Sequence, residues 1–210
     1  NNKGYEVDYT VGDVSDQNLP KKVVSKTLKK WGSVDILINN AGGPPFGRLE
    51  EIDEQVWQET IETNLMSVIR FTKCVIPHMK KCNWGRIISI TSTLAIEPSP
   101  SMILSSTARA AVGAFTKALS IEVASKNISI NVICPGGVLT ERLKNLLKTR
   151  SERENVNFKE LIIESEKSIP AGRFAQPSEI GNIISFLCSE KAAYINGVSL
   201  AVDGSLIKSF

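Results

Sequence analysis

The sequence predicts an α/β fold: a doubly wound, mainly parallel sheet with helices on both faces. Two observations carry this. Short apolar, β-branched runs alternate with longer amphipathic stretches along the whole chain. One of those runs, Val34–Asn39, is apolar almost without interruption, as a strand buried on both faces is. Parallel strands need crossovers, and the intervening stretches are long enough to supply helical ones.

The elements follow in order. Glu6–Val11 reads as a strand and Leu19–Trp31 as a helix. Val34–Asn39 (VDILIN) is a buried strand. Asp53–Ile76 has helical periodicity, with Trp57, Ile61, Leu65, Val68 and Ile69 on its apolar positions. Gly85–Thr91 is a strand, and Ser101–Ser125 contains a long Ala-rich helix. Ile128–Ile133 is a strand. Ser178–Cys188 is a helix, whose start carries Pro177, a capping hydroxyl at Ser178 and an acid at Glu179. Val198–Val202 is the last strand. The charged segment 139–170 suits a helical lid over a substrate better than a core element.

Composition narrows the function. At 210 residues the chain is long enough for one well-buried domain. A net charge of +3, with basic and acidic residues interspersed, argues against nucleic acid or an anionic membrane as partner. No apolar run approaches the ~20 residues that span a bilayer. The one histidine, His78, reads as a surface residue after Pro77 at a helix end, so neither a His-rich metal site nor any other metal site is expected. Cys74, Cys82, Cys134 and Cys188 form no CxxC pair and read as reduced, mostly buried thiols. A cytoplasmic protein acting on a small molecule is the expectation.

Three strand ends carry the chemistry. Asn39-Asn40-Ala41-Gly42-Gly43 follows a buried strand, and small residues there let a ligand approach the backbone. Ser92-Thr93 follows the next strand, and Pro135-Gly136-Gly137-Val138-Leu139-Thr140 the one after. In open α/β sheets, ligands bind beyond the carboxyl ends of the strands.

With these motifs in place, the chain resembles the short-chain dehydrogenase/reductase family, in particular its 3-oxoacyl-carrier-protein-reductase-like branch. LINNAGG at Leu37–Gly43, TNL around Asn64, ITS at Ile90–Ser92 and ICPGGVLT at Ile133–Thr140 carry the resemblance. GRFAQPSEI at Gly172–Ile180 and YINGVSLAVDG at Tyr194–Gly204 extend it. The tail VDGSLIKSF and the IEPSP stretch are also similar to the reductase branch of bacilysin-type antibiotic biosynthesis, with Glu97 near the expected site.

The resemblance implies a Rossmann-type fold, NADP or NAD as cofactor, and a homodimer or homotetramer paired through the long helices of Asp53–Ile76 and Ser101–Ser125. It also implies roles. Asp13 would contact the adenine edge, and Asn39, Asn40, Ala41 and Gly42 would line the adenosine side. Asn64 would support a buried water relay, and Ser92 would hydrogen-bond the reacting carbonyl. Pro135, Gly136 and Thr140 would meet the nicotinamide. Each has a plainer alternative: a solvated loop acid at Asp13, a satisfied helix kink at Asn64, a strand end at Ser92, a turn at Gly136.

The sequence departs from the family pattern twice. The glycine-rich TGxxxGxG turn that receives the pyrophosphate is not found, and Glu6–Val11 matches the third strand of the family order. The expectation is a natural protein with a further N-terminal βαβα segment, and a single dinucleotide-binding domain here that is incomplete at that end. Where the family has tyrosine and, four residues on, lysine, this chain has Ser105 and Arg109. A serine hydroxyl is a far weaker acid than a phenol of pKa ~10. Arginine stays protonated, yet its fork suits pairs of oxygens, on the nicotinamide ribose or a substrate carboxylate; the plainer alternatives are a surface helix cation at Arg109 and a small helix-packing residue at Ser105. Ser92 and Ser105 can still donate hydrogen bonds to a developing oxyanion. The leading expectation is an NAD(P)H-dependent reductase of a ketone or conjugated enone, with Ser92, Ser105, Arg109 and Asn64 in the catalytic roles. The alternative is a non-catalytic relative that binds a nucleotide or plays a structural part.

Overall fold

The structure is a computed structural model and describes residues 4–209. Its centre is a four-stranded parallel sheet in the order β1-β2-β3-β4. The strands are β1 (Ile36–Asn39), β2 (Gly85–Ile90), β3 (Ile128–Pro135) and β4 (Ser199–Val202). Register is continuous across the inner pair, from Gly85 opposite Ile128 to Ile90 opposite Ile133.

The described residues form seven α-helices: α1 (Leu19–Trp31), α2 (Glu54–Ile61), α3 (Ser67–Cys82), α4 (Ile103–Val123), α5 (Glu141–Glu154), α6 (Phe158–Lys167) and α7 (Pro177–Leu187). Alternation along the inner strands sends side chains to both layers. Ile87, Ile128 and Ile130 face one layer, where they pack with Val24 of α1, Val75 and Met79 of α3, and Val123 at the end of α4. Ile88 and Ile133 face the other, against Ile180 and Leu187 of α7. This two-sided burial matches the β-branched apolar residues of β2 and β3, whose polar Arg86, Ser89, Ser129 and Asn131 are buried as well. Each isoleucine so buried contributes roughly 1.5–3 kcal/mol relative to an exposed one.

β4 is shorter and held partly by side chains. Buried Asn131 donates to Ile195 O (2.8 Å) and accepts from Val198 N (3.1 Å), while Asn196 accepts from Ile130 N (2.8 Å). These bonds settle where the last strand starts.

Expectations are corrected at four places. Glu6–Val11 forms no strand. Among the described residues no neighbouring strand pairs with its backbone, and Val7, Tyr9 and Val11 are exposed. Polar contacts to α1 hold it instead, with Lys26 bonding Asp8 and the Tyr9 carbonyl and Lys30 pairing with Glu6. On the same flank, β1 pairs only with β2 among the described residues, and its Ile36 and Ile38 are exposed, so this strand is not buried as its apolar run suggested.

The second correction concerns His78. It lies inside α3, which runs on through Pro77, and it is half-buried. Third, of the free cysteines only Cys134 is fully buried, while Cys74 and Cys188 are half-buried and Cys82 is exposed. Fourth, α7 is capped by Gln176, not Ser178. The Gln176 amide donates to Glu179 at 2.8 Å in a capping box, with Pro177 in the first turn.

The helical stretch after Asp53 is broken by one π-turn at Glu62–Met66 between α2 and α3. Periodicity alone does not show such a turn, because a single added residue keeps the apolar positions near one face.

Candidate functional site

The carboxyl ends of β1, β2 and β3 open into one crevice of about 490 Å³. Its floor is Asn40, Ala41, Gly42 and Gly43 after β1, then Thr91 and Ser92 after β2, then Pro135, Gly136 and Gly137 at the end of β3. Ser105 and Arg109 of α4 form one wall. Thr140, Arg142, Leu143 and Leu146 at the start of α5 form the opposite one.

Local hydrogen bonds build each part. Ser92 caps a 3-10 turn (Thr93–Ala95), its Oγ accepting from Leu94 N at 3.2 Å. That leaves the Ser92 O–H proton available for donation. Thr91 Oγ1 lies 3.2 Å from both the Ile133 carbonyl and Cys134 Sγ, which ties the ends of β2 and β3 together. Burial pushes the Cys134 thiol above its ordinary pKa, against smaller opposite effects from Thr91 and Arg109, so it stays a neutral packing group.

Gly136 N donates to Val202 O at 3.1 Å, and a Cβ there would meet Asp203 Cβ at 2.9 Å and Cα at 3.0 Å. Only glycine lets β3 end this close to the turn after β4. Thr140 caps α5 through its Oγ1, which accepts from Leu143 N at 3.3 Å. A short bridge between Val138 and Ala175 anchors the base of the α5–α6 segment. The helices share a small core of Leu147, Leu161, Ile169 and Phe174.

The hydroxyl of Ser105 is buried and accepts from Arg109 Nε at 3.1 Å, one helical turn apart. Arg109 Nη1 donates to the Ile90 carbonyl at 3.3 Å. Burial lowers the Arg109 pKa, and nearby Arg142 lowers it further. A guanidinium starting from such a high value remains the charged form at neutral pH. The crevice thus presents hydroxyl and N–H donors to a ligand. Tyr5, Tyr9 and Tyr194 are exposed, and none lines it.

Nine anticipated residues therefore converge on one cavity: Asn40, Ala41, Gly42, Ser92, Ser105, Arg109, Pro135, Gly136 and Thr140. Three lie outside its lining. Asn39 is buried, donates to Ser89 Oγ at 3.3 Å, and lines a smaller adjoining cavity of about 180 Å³ that shares Asn40 and Ala41. Asn64 sits in the π-turn and donates to the Thr60 carbonyl at 3.1 Å. Asp13 is on an exposed turn, where hydrogen bonds from the Ser15 amide and hydroxyl depress its pKa. Glu97 accepts from the Lys208 amide at 2.9 Å and so ties down the C-terminal tail. Sequence reasoning missed Arg142. Its only signal was a position two residues past the capping threonine, on the first turn of a helix that begins at the crevice.

Fold and crevice define a doubly wound α/β protein with a ligand site at the carboxyl edge of its sheet. The profile of the family described as "Enoyl-(Acyl carrier protein) reductase" matches residues 2–206. The nodulation protein G of Azospirillum brasilense is 36% identical over 97% of this chain and 78% of its own length. The 3-oxoacyl-[acyl-carrier-protein] reductase FabG of Chlamydia muridarum is also 36% identical, over 97% of this chain and 77% of its own. The crystal structure of YwfH, an NADPH-dependent reductase involved in bacilysin biosynthesis, superposes with a TM-score of 0.93. It is 28% identical, over 100% of this chain and 81% of that one. The chain belongs to the short-chain dehydrogenase/reductase family and is an oxidoreductase of its 3-oxoacyl-carrier-protein-reductase-like branch.

Proposed function

We propose that this protein is an NAD(P)H-dependent reductase of a ketone or conjugated enone that works without a tyrosine acid. The observation that carries this is the convergence of Ser92, Ser105 and Arg109 in one crevice with the small-residue floor of Asn40–Gly42 and Pro135–Gly136. A nicotinamide nucleotide fits that floor. A Cβ built on Gly42 meets nothing within 4 Å, so the space above the first loop is open. Asn40, Ala41 and Gly42 would hold the nucleotide on one side, and Pro135, Gly136 and Thr140 on the other. When bound, the nicotinamide supplies hydride.

The chain's own residues do the rest. Ser92 and Ser105 donate hydrogen bonds to the carbonyl or enolate oxygen as negative charge grows on it. Arg109 fixes the Ser105 oxygen through Nε and adds positive charge beside it. None of these groups is a good proton donor near neutral pH, so the last proton comes from water. Conjugate addition tolerates this best, because an enolate can wait for solvent. Helix α5, which lines one wall of the crevice, acts with α6 packed against it as the substrate lid. Asn64 and Asp13 act at a distance, Asn64 by holding the π-turn and Asp13 by shaping the turn before α1. The protein works as a cytoplasmic homodimer or homotetramer.

The test is NADPH and NADH titration of the complete protein, followed by absorbance decay with enone and ketone panels. Ser92→Ala should lower kcat roughly 10²–10³-fold, the usual consequence of losing one oxyanion donor, with cofactor affinity retained. Unchanged turnover in that variant would mean the reacting oxygen lies elsewhere. A second reading, a nucleotide-binding relative without catalysis, is supported by the resemblance, which implies that Ser105 and Arg109 take the places of the family's tyrosine and lysine. Tight cofactor binding with no oxidation across the whole panel would establish that reading instead.

A further inference from the structure

Two guanidinium groups meet at one point of the crevice rim. Arg109 reaches it from α4 and Arg142 from the first turn of α5. A Cβ built on Gly43 would lie 2.7 Å from Arg142 Nη2 and 3.5 Å from Arg109 Nη2. The two nitrogens are therefore no more than about 6 Å apart, a gap that a two-oxygen anion spans with a hydrogen bond at each end.

Among the described residues no Asp or Glu forms an ion pair with Arg109 or Arg142, and Glu141 beside them is taken by Lys144 at 2.8 Å. Among the described residues Arg142 Nη2 bonds only the Gly43 carbonyl, at 3.1 Å. Arg109 uses Nε on Ser105 and Nη1 on Ile90, which leaves Nη2, the nitrogen facing Gly43, without an acceptor. Like charges this close in a half-desolvated cleft repel, and the depressed pKa of Arg109 reflects burial first and Arg142 second. An anion lying between them reverses the sign of that interaction.

We propose that Arg109 and Arg142 together bind the carboxylate of an anionic carbonyl substrate above Gly43, next to Ser105. The inference rests on the reductase reading for the position of the reacting oxygen. Arg109 contacts Ser105 directly, so an anion on its outer face lies one guanidinium away from a hydroxyl that polarises the carbonyl. A short oxo acid spans that distance. Leu94, Met102, Leu143 and Leu146 line the rest of the cavity and suit the acid's hydrocarbon body. A phosphate of the cofactor shares the charge of a carboxylate, and the experiment separates the two.

The complete protein, saturated with NADP⁺, is titrated by calorimetry with levulinate (4-oxopentanoate) and separately with its methyl ester. The acid should bind about tenfold tighter than the ester, as one lost charge-assisted contact implies. In Arg142→Gln that preference should fall close to one. Melting followed by circular dichroism should match the unaltered protein, since Arg142 is exposed. Equal binding of acid and ester by the unaltered protein overturns the proposal, and so does an Arg142→Gln variant that keeps the preference. Weaker NADP⁺ binding in the variant, with the preference intact, assigns the anion to a cofactor phosphate and overturns it as well. If the protein binds no NADP⁺, the reductase reading fails. The same two titrations without nucleotide then still decide whether a carboxylate site exists.

Discussion

Adding one methyl group at Gly42 and one at Gly136 should have opposite effects on stability, although both glycines line the same crevice. At Gly42 a Cβ meets nothing within 4 Å, and its φ is not in the left-handed region, so alanine adopts the native backbone freely. Restricting the unfolded chain then stabilises the protein by about 0.4–1 kcal/mol, which raises Tm by roughly 1–4 °C in a domain of this size. At Gly136 the new Cβ lies 2.9 Å from Asp203 Cβ, 3.0 Å from its Cα and 3.3 Å from its carbonyl oxygen. Asp203 cannot simply rotate away, because its carboxylate accepts from the Ser205 amide at 3.0 Å and the Ile207 amide at 2.9 Å. Overpacking of this kind costs about 1–3 kcal/mol, or roughly 2–12 °C in Tm.

Activity should not follow stability. The Gly42→Ala methyl projects into the space assigned to the nucleotide, so NADPH affinity should fall on the order of tenfold, about the cost of one misplaced methyl in a packed site. Scanning calorimetry of the two variants, together with NADPH titration, reads all of this. A Gly42→Ala protein destabilised as much as Gly136→Ala would refute the open floor. Undiminished NADPH affinity in a stabilised Gly42→Ala protein would refute the nucleotide's placement.

Two predictions concern the frame around the site. Arg173 makes two hydrogen bonds to Glu179 and, with the Gln176 amide, lowers the Glu179 pKa from 4.5 to about 2. Glu179 thus adds stability above its unfolded-state pKa of 4.5, and that contribution is lost as pH falls toward 2. Glu179→Gln should flatten the stability-versus-pH curve in that window, read by urea midpoints at stepped pH; an unchanged slope would refute the pairing. Arg86 is fully buried, stacked at 4.5 Å on Trp84 and 3.7 Å from Glu190, which also accepts from the Trp84 indole N–H at 2.6 Å. Glu190→Ala leaves both donors without their acid and should cost about 1–3 kcal/mol. Trp84 fluorescence during urea unfolding would show it, and a midpoint equal to that of the unaltered protein would count against the cluster.

Much of the fold was legible because burial on two faces writes itself into residue type. The β-branched residues at Ile87–Ile88 and Ile128–Ile133, bounded by longer helical stretches, read as strands of a parallel sheet, and the helix of Leu19–Trp31 shows its limits through Pro20 and Gly32. Glu6–Val11 carried the same β-branched signal and failed, since a strand exists only where a neighbour completes its ladder, and composition does not report neighbours. The floor of the site was legible for a related reason. Asn40–Gly43, Ser92 and Pro135–Gly136 each lie at the carboxyl end of a strand, so parallel strands had to bring them to one edge.

What lay beyond the sequence was everything set by contacts between distant segments. Arg142 is far along the chain from Gly43, and only the docking of α5 brings its guanidinium to that carbonyl and to Arg109. The assignment of Asn64 to a π-turn, of Glu97 to the C-terminal tail and of Gln176 to a helix cap follows the same pattern. Side-chain type and period are local and survive in a linear string. Distance, charge proximity and the completeness of a hydrogen-bond set arise only once the chain has folded back on itself.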